Sequence, residues 1–346
     1  MSKESVQFKK SNYDINIEEV SNHKSNGLDA SVLSLKMYGS DLNMSIYNTL
    51  RRANMNDIPT YAIPIEQITI DENTTAAYNN DYMKLRLSML RVPKIDPKLS
   101  FLAEKYWNKD SVNYADPKRE KHPNESNIEF YINCHNNTAE NTQVTTNDIK
   151  VYVEGEQQQL YNKKYPTLLI ELRPNDRFKC HMKACLGVAD RNVIWAASTN
   201  SYYDDEIYSE ENSLLYSIEG NDQIQEYDIM IRTCEFLMRK YTDLKADLKK
   251  RVSLGTISSE NKLVLVLENE THTIGGPLNY ELQNHKNIMS GCIRPSHLVK
   301  SISLKIESIP GTKSTMNTII DCIDIIIDKF EHIGYLLTKL KDKTKK

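Results

Sequence analysis

The chain has 346 residues, 26% of them charged, with 44 Lys and Arg against 47 Asp and Glu and a formal net charge of −3. That length supports two or three domains, and the only basic tract is residues 339–346, which argues against a protein whose main work is neutralising phosphates. No stretch approaches the ~20 apolar residues of a membrane span. The first ten residues lack the apolar core of a secretory signal, and six scattered cysteines fit a reducing, intracellular compartment.

Residues 1–27 are polar and expected to be loose at the start. Over residues 31–38, Val32 falls on one face and Leu33, Leu35 and Met37 on the other, which is strand periodicity. Gly39-Ser40-Asp41 reads as a turn and helix N-cap. Leu42, Ile46, Leu50 and Ala53 then share one helical stripe, with Asn48, Arg51 and Arg52 off it, and Pro59 stops the helix. Residues 58–70 read as extended, residues 84–90 as a strand, residues 108–127 as loop and residues 166–173 as a buried strand.

A long helix is expected over residues 223–249. In it Tyr227, Cys234, Tyr241 and Leu248 recur every seventh residue, with Met230, Leu237 and Leu244 at the second seam position. Residues 250–260, with Gly255, read as a linker. The order then begins again with a strand over 263–267, a stripe of Ile274, Leu278 and Leu282, a strand over 301–307 and a terminal helix. Its heptads place Met316, Ile323, Phe330 and Leu337 on one row and Ile319, Ile326, Ile333 and Leu340 on the other. A shift of 228 residues sets His272 on Met44, Ile274 on Ile46 and Leu278 on Leu50. Such a repeat is expected to pack as two related halves.

Asn48-Thr49-Leu50-Arg51-Arg52, followed by Ile58-Pro59-Thr60-Tyr61-Ala62-Ile63, resembles the N-x-L-R-R…(I/V)-P-T-x-A-(I/V) signature of alpha-like RNA polymerase subunits. That group comprises bacterial alpha, the archaeal D-type subunit and the third-largest subunit of eukaryotic polymerase II. The segment 168–188, Trp195-Ala196-Ala197-Ser198 and the run 214–220 stand where the family has further motifs. In the second half, Glu268-Asn269-Glu270-Thr271-His272-Thr273-Ile274-Gly275 resembles the N-E-D-H-T-L-G-N signature of the archaeal L-type subunit and the eleventh subunit of polymerase II. Arg294-Pro295-Ser296-His297 stands where that family has a Y-x-x-P-H-P stretch. One chain with both halves resembles the fused version found in large DNA viruses.

The resemblance implies an α+β fold. A first, D-type dimerisation domain covers 1–58 and 200–250, and an inserted, mainly β domain covers 59–199. A linker at 251–260 leads to a second, L-type domain over 261–346, and the halves pair as an intramolecular pseudo-dimer. It implies a non-catalytic platform that joins the two largest polymerase subunits and meets small zinc-binding subunits, with DNA reached only through the complex and no membrane involved. Asn48, Leu50, Arg51, Arg52, Pro59, Thr60, Trp195, His272, Thr273, Ile274 and Gly275 are the implied subunit-interface positions. Tyr227, Cys234, Tyr241, Met316, Ile319, Ile323, Ile326, Phe330, Ile333 and Leu337 are the expected pairing seam. If the chain is viral, it is expected in host cytoplasm or nucleus and packaged in the virion.

The sequence departs from the family at Gly276-Pro277, where proline is tolerated in a first turn, at Val193-Ile194 before Trp195, and in lacking a paired C-x2-C. Each candidate has a plainer alternative. An Arg pair is commonly a solvated face, and His272 reads as a turn residue rather than a base. Cys180-His181 with Cys185 has no second ligand pair, so no metal or cofactor is expected. Asp204-Asp205-Glu206 carries no magnesium signature, and the triplets Asn73-Thr74-Thr75 and Asn269-Glu270-Thr271 are chance matches to a glycosylation motif. No P-loop, G-x-G-x-x-G, G-x-S-x-G or H-E-x-x-H occurs, which disfavours an enzyme. A scaffold outside any polymerase and a free-standing nucleic-acid-binding protein are the alternatives.

Overall fold

The computed structural model describes residues 8–26, 29–204, 213–253, 262–296, 298–309 and 315–344. His297, Asp205, Glu206, Gly255 and most of the expected linker lie outside them. The described residues form an α+β fold of five α-helices and four sheets. In chain order the elements begin β1 (Asn16–His23), β2 (Val32–Tyr38), α1 (Met44–Asn56), β3 (Thr60–Ala62), β4 (Ile68–Asn73) and α2 (Asn80–Ser88). Then come β5 (Ile128–His135), β6 (Thr142–Thr145), β7 (Lys150–Val153), β8 (Glu156–Gln158), β9 (Leu168–Leu172) and β10 (Arg177–Gly187). β11 (Ser198–Asp204), β12 (Ser213–Gly220) and α3 (Glu226–Ser253) follow. The chain closes with β13 (Lys262–Glu268), α4 (His272–Asn284), β14 (Ile288–Ile293), β15 (Ser301–Ser308) and α5 (Thr315–Thr344).

One sheet runs β1-β2-β12-β11 and another β13-β15-β14, both antiparallel throughout. The route strand, helix, strand, strand, long helix is followed twice, through β2-α1-β11-β12-α3 and β13-α4-β14-β15-α5, with the third strand central each time. α1 and α4 are both 13 residues long, and the 228-residue shift superposes both of their ends. Between α1 and β11 the first route carries β3 to β10, whose sheets β3-β10-β5-β7-β8 (with β4 also on β10) and β6-β9 surround a separate core. Ile128, Phe130, Phe178 and Met182 lie at its centre.

The other main core is continuous across both routes. It runs from Ile15, Leu33, Leu35 and Met37 through α3 to Leu265, Leu304 and α5. α3 and α5 are antiparallel: Asp228 pairs with Lys341, Tyr241 stacks on Phe330 with ring centroids 6.2 Å apart, and Lys245 meets Asp324 at 2.5 Å. Tyr227, Met230, Cys234, Leu237, Tyr241 and Leu248 are buried on α3, and every expected heptad position of α5 from Met316 to Leu337 is buried, with Leu340 partly so. The seam of seventh residues is therefore filled from both helices, and the ion pairs flank it.

Several expectations need correction. Residues 84–90 are not a strand: residues 84–88 belong to α2, which is capped by Asn79, whose side chain accepts the Tyr82 N–H, and Met83 and Leu87 are its buried apolar positions. α1 is capped by Asn43 rather than Asp41, whose carboxylate accepts the Asp14 N–H at 2.7 Å. Residues 58–70 are extended only in part, since a 3-10 turn at Ile65–Gln67 separates β3 from β4. Residues 251–253 are the last turn of α3, not linker. The chain start is not loose from residue 8 onward. Gly334 of α5 has no Cβ, and one placed there would lie 2.3 Å from the Phe8 ring, so Phe8 rests directly on the helix. Ser11 N–H then donates to His332 Nδ1 at 3.1 Å.

Replacing Phe330 by Ala removes the ring stacked on Tyr241 in a fully buried seam and should cost about 3–5 kcal/mol. Urea unfolding followed by circular dichroism should show the midpoint fall. A change below ~1 kcal/mol would mean that α3 and α5 are not packed this way.

Candidate functional site

Two segments more than 200 residues apart in sequence meet where α1 crosses α4. Thr271 caps α4, its side chain accepting the Thr273 N–H. Pro277 is the sixth residue of the helix, one turn further in than a first-turn proline, and is buried. It has no N–H to give to the Thr273 carbonyl four residues back. Thr49 Oγ1 of α1 donates to that carbonyl at 3.0 Å, in a buried site where an unpaired carbonyl would be costly. One residue on, Tyr241 Oη of α3 donates to the Ile274 carbonyl at 2.8 Å. Gly275 lets the helix lie on its own sheet, because a Cβ there would be 2.6 Å from Ile302 Cδ1 and 2.9 Å from Cys292 Sγ.

Arg52 is part of the same junction. Its Nε donates to Thr273 Oγ1 at 2.9 Å, so it is not on a free face as its position off the apolar stripe led us to expect. Arg51 is different: its Nε and Nη2 donate to Asn48 Oδ1 three residues back, at 3.2 and 2.9 Å. Met44, Asn48, Arg51 and Met55 follow at helical spacing on the outer side of α1, Met44 being 50% exposed and the other three half-buried. Leu50, Thr273, Ile274 and Gly275 are buried and shape the junction from within, while His272 is exposed at the first turn of α4. Burial holds the His272 imidazole below its usual value, with Arg52 and Arg294 adding to the effect.

Pro59, Thr60 and Trp195 are corrected from surface to core. Thr60 Oγ1 donates to the Trp195 carbonyl at 2.6 Å, and Trp195 Nε1 donates to the Cys185 carbonyl at 2.9 Å. Tyr114 stacks on the indole at 5.2 Å and Arg191 covers Tyr114 at 4.4 Å. Only 2% of Trp195 is accessible, so it braces the inserted segment against the end of α1 and offers nothing to a partner. Periodicity also gave no role to Asn54. It is fully buried, accepts from Thr233 Oγ1 at 2.5 Å and donates to Tyr216 Oη at 2.6 Å, tying α1 to α3 and β12. Its place on the inward stripe after Leu50 was the available signal.

Beside the junction is a cavity of about 220 Å3 lined by the end of α1, α3, the turn into α4, Lys300 and residues 101–104 with Trp107. Its charged groups are Arg52, Asp57, Glu104, Asp190, Lys240, Glu270 and Lys300. Lys240 pairs with Glu270 at 2.9 Å and Lys300 with Asp190 at 2.6 Å.

Cys180, His181 and Cys185 do not converge. They lie on one strand, with Cys180 in the inserted core and Cys185 in the small cluster around Trp195, on the other face. Among the described residues no three His, Cys, Asp or Glu are grouped to hold a metal ion. All six thiols are pushed up by burial, Cys185 and Cys292 to about 11 and Cys180 and Cys322 to about 12, which is the reverse of an activated nucleophile. No described helix is long and apolar enough to cross a membrane.

One relative covers most of the chain. Over 333 residues the chain is 24% identical to a protein of Acanthamoeba polyphaga mimivirus named as a DNA directed RNA polymerase subunit. The match spans 89% of this chain and 90% of the relative, so it cannot be confined to either half. No protein-family model matches the chain.

Thr49→Val leaves the Thr273 carbonyl bare and should cost about 1–3 kcal/mol. In a Pro277→Ala background the restored N–H can serve that carbonyl, so the same Thr49→Val change should cost measurably less. Urea denaturation of the four proteins gives the coupling, and additive effects would show that Thr49 does not stand in for the missing helical donor. Arg52→Ala should destabilise by about 1–2 kcal/mol through its bond to Thr273, whereas Arg51→Ala should stay within about 0.5 kcal/mol.

Proposed function

We propose that this chain is a non-catalytic assembly subunit of a DNA-dependent RNA polymerase, in which a D-type and an L-type alpha-like half are fused and pair within one molecule. The observation that carries the proposal is the junction itself: the segment resembling the D-type signature and the segment resembling the L-type signature bond to each other through Thr49, Arg52 and Thr273. Two matching strand-helix routes and an antiparallel α3–α5 pair support a pseudo-dimer. The similarity to a chain named as a polymerase subunit, over most of both lengths, supports the complex in which it works.

In this reading α1 presents Asn48 and Arg51, flanked by Met44 and Met55, to the second-largest subunit. Arginine suits such a surface because its planar, forked donors pair with carboxylates and backbone carbonyls alike. The platform as a whole joins the two largest subunits, and small zinc-binding subunits are further partners. Fusing the halves makes their pairing intramolecular and independent of concentration. DNA is met only through the complex, which is intracellular. Packaging in a virion belongs to the same proposal if the source is a large DNA virus.

Affinity purification of the tagged chain from its native source should recover two very large polypeptides together with DNA-directed RNA synthesis. Arg51→Ala should leave the fold unchanged and reduce that recovery, since interface arginines are often worth ~2 kcal/mol or more. Recovery of the chain alone would count against the proposal. Tight, salt-sensitive DNA binding by the isolated chain would favour a nucleic-acid-binding protein instead.

A further inference from the structure

The cavity beside the α1–α4 junction has an unbalanced charge. Four carboxylates line it, Asp57, Glu104, Asp190 and Glu270, against three cations, Arg52, Lys240 and Lys300. The two lysines are committed to Glu270 and Asp190, and Arg52 Nε to Thr273. Asp57 sits at the C-cap of α1, its backbone N–H donating to Ala53 O. Among the described residues its carboxylate receives no hydrogen bond and no ion pair, although it faces the cavity. Asp57 is half-buried, and a carboxylate partly withdrawn from water without a partner of its own is stabilised by an added counter-charge.

The remaining walls describe the missing ligand. Phe101, Trp107 and Phe236 supply aromatic surface. Phe101 stacks on Phe236 with ring centroids 6.2 Å apart and carries the Arg239 guanidinium at 4.0 Å, so this aromatic surface already pairs with a guanidinium. A volume of about 220 Å3 is below that of small-molecule sites, roughly 300–1,000 Å3. That volume suits a single side chain. A metal ion would need several free donors, and among the described residues no such group exists. A guanidinium, planar and weakly hydrated, satisfies both the carboxylate and the aromatic walls.

We infer that this cavity is a receptor for a single arginine side chain presented by another polymerase subunit, with Asp57 as its counter-ion. The inference rests on the polymerase reading above and adds to it a second contact, on the inner side of α1, distinct from the Arg51 face.

Burial lifts the Asp57 carboxyl from 3.8 to about 7; Asp190 and Glu270 add to the rise, and Lys300 and Lys240 oppose it. A raised acid penalises the folded chain once the unfolded carboxyl ionises. The penalty therefore grows as pH rises above about 4 and is complete above about 7. A partner's cation would remove it and release a proton on binding, so retention of the partner should strengthen from pH 6 to pH 8.

The test is Asp57→Asn in the tagged full-length chain, measured alone and in the native complex. Alone, the variant should melt at a higher temperature than the natural chain at pH 8, with the gap closing as pH approaches 4. In the complex, recovery of the large subunits should fall by about tenfold or more and lose its pH dependence. Wild-type retention at pH 6 and pH 8 checks the claim without any variant. The inference is overturned if Asp57→Asn retains the large subunits as the natural chain does, or if it melts lower at pH 8, or if wild-type retention is flat with pH. If the natural chain itself recovers no large subunits, the polymerase reading fails and the inference goes with it.

Discussion

Pro277 cannot donate a hydrogen bond, and the carbonyl it leaves without a helical partner at Thr273 is served by Thr49 from the other half of the chain. This arrangement makes one helix incomplete without the other. α4 satisfies its second turn only when α1 lies against it, with Tyr241 of α3 closing the next carbonyl. A buried carbonyl cannot go unpaired cheaply, so the registration of the two halves is fixed by a polar requirement as well as by apolar packing. Gly275 and the Arg52–Thr273 bond act at the same crossing, the first by letting α4 sink onto its sheet and the second by holding the end of α1.

The α3–α5 seam does the larger share of burial. Its heptad rows come from both halves, and its flanking pairs, Asp228 with Lys341 and Lys245 with Asp324, set an antiparallel register. Such partly exposed pairs contribute little to stability, but they match the antiparallel alignment of the apolar rows. The apolar rows contribute area and the charges contribute direction. The core that the rows line is shared between the two strand-helix routes. The inserted segment keeps its own core and is braced to α1 through Thr60, Trp195 and Tyr114.

Much of this was legible wherever one face of an element is buried and the other is not. The rows of α5, the stripe of α4 and the alternation of β2 all follow from that one-sidedness. Where it fails, the reading failed. In α2 and just after it, Leu85 and Met89 are 49% and 58% exposed while Leu87 is fully buried, so the apolar alternation mimics a strand although Asn79 caps a helix. Trp195 sits in a motif-like position, but a motif says nothing about burial, and the Tyr114 side chain that covers it comes from a stretch readable only as loop. Arg52 was placed correctly off the apolar stripe, yet its partner, Thr273, is 221 residues away. Asp57 had no sequence signal at all, because its surroundings are assembled from separate, distant parts of the chain.

The claim on which the rest depends is that the two halves share one core and open as one unit. Native-state hydrogen exchange of the full chain measures this directly through the opening free energies of amides in α1, α3, α4 and α5. The account predicts that the most protected amides of α3 and α5 exchange with a common opening free energy, and that Thr49→Val lowers protection in α4 and α1 together. If α5 and the β13-β15-β14 sheet instead open at a distinctly lower free energy while α1 and α3 stay protected, the halves are separate units and the shared core is contradicted.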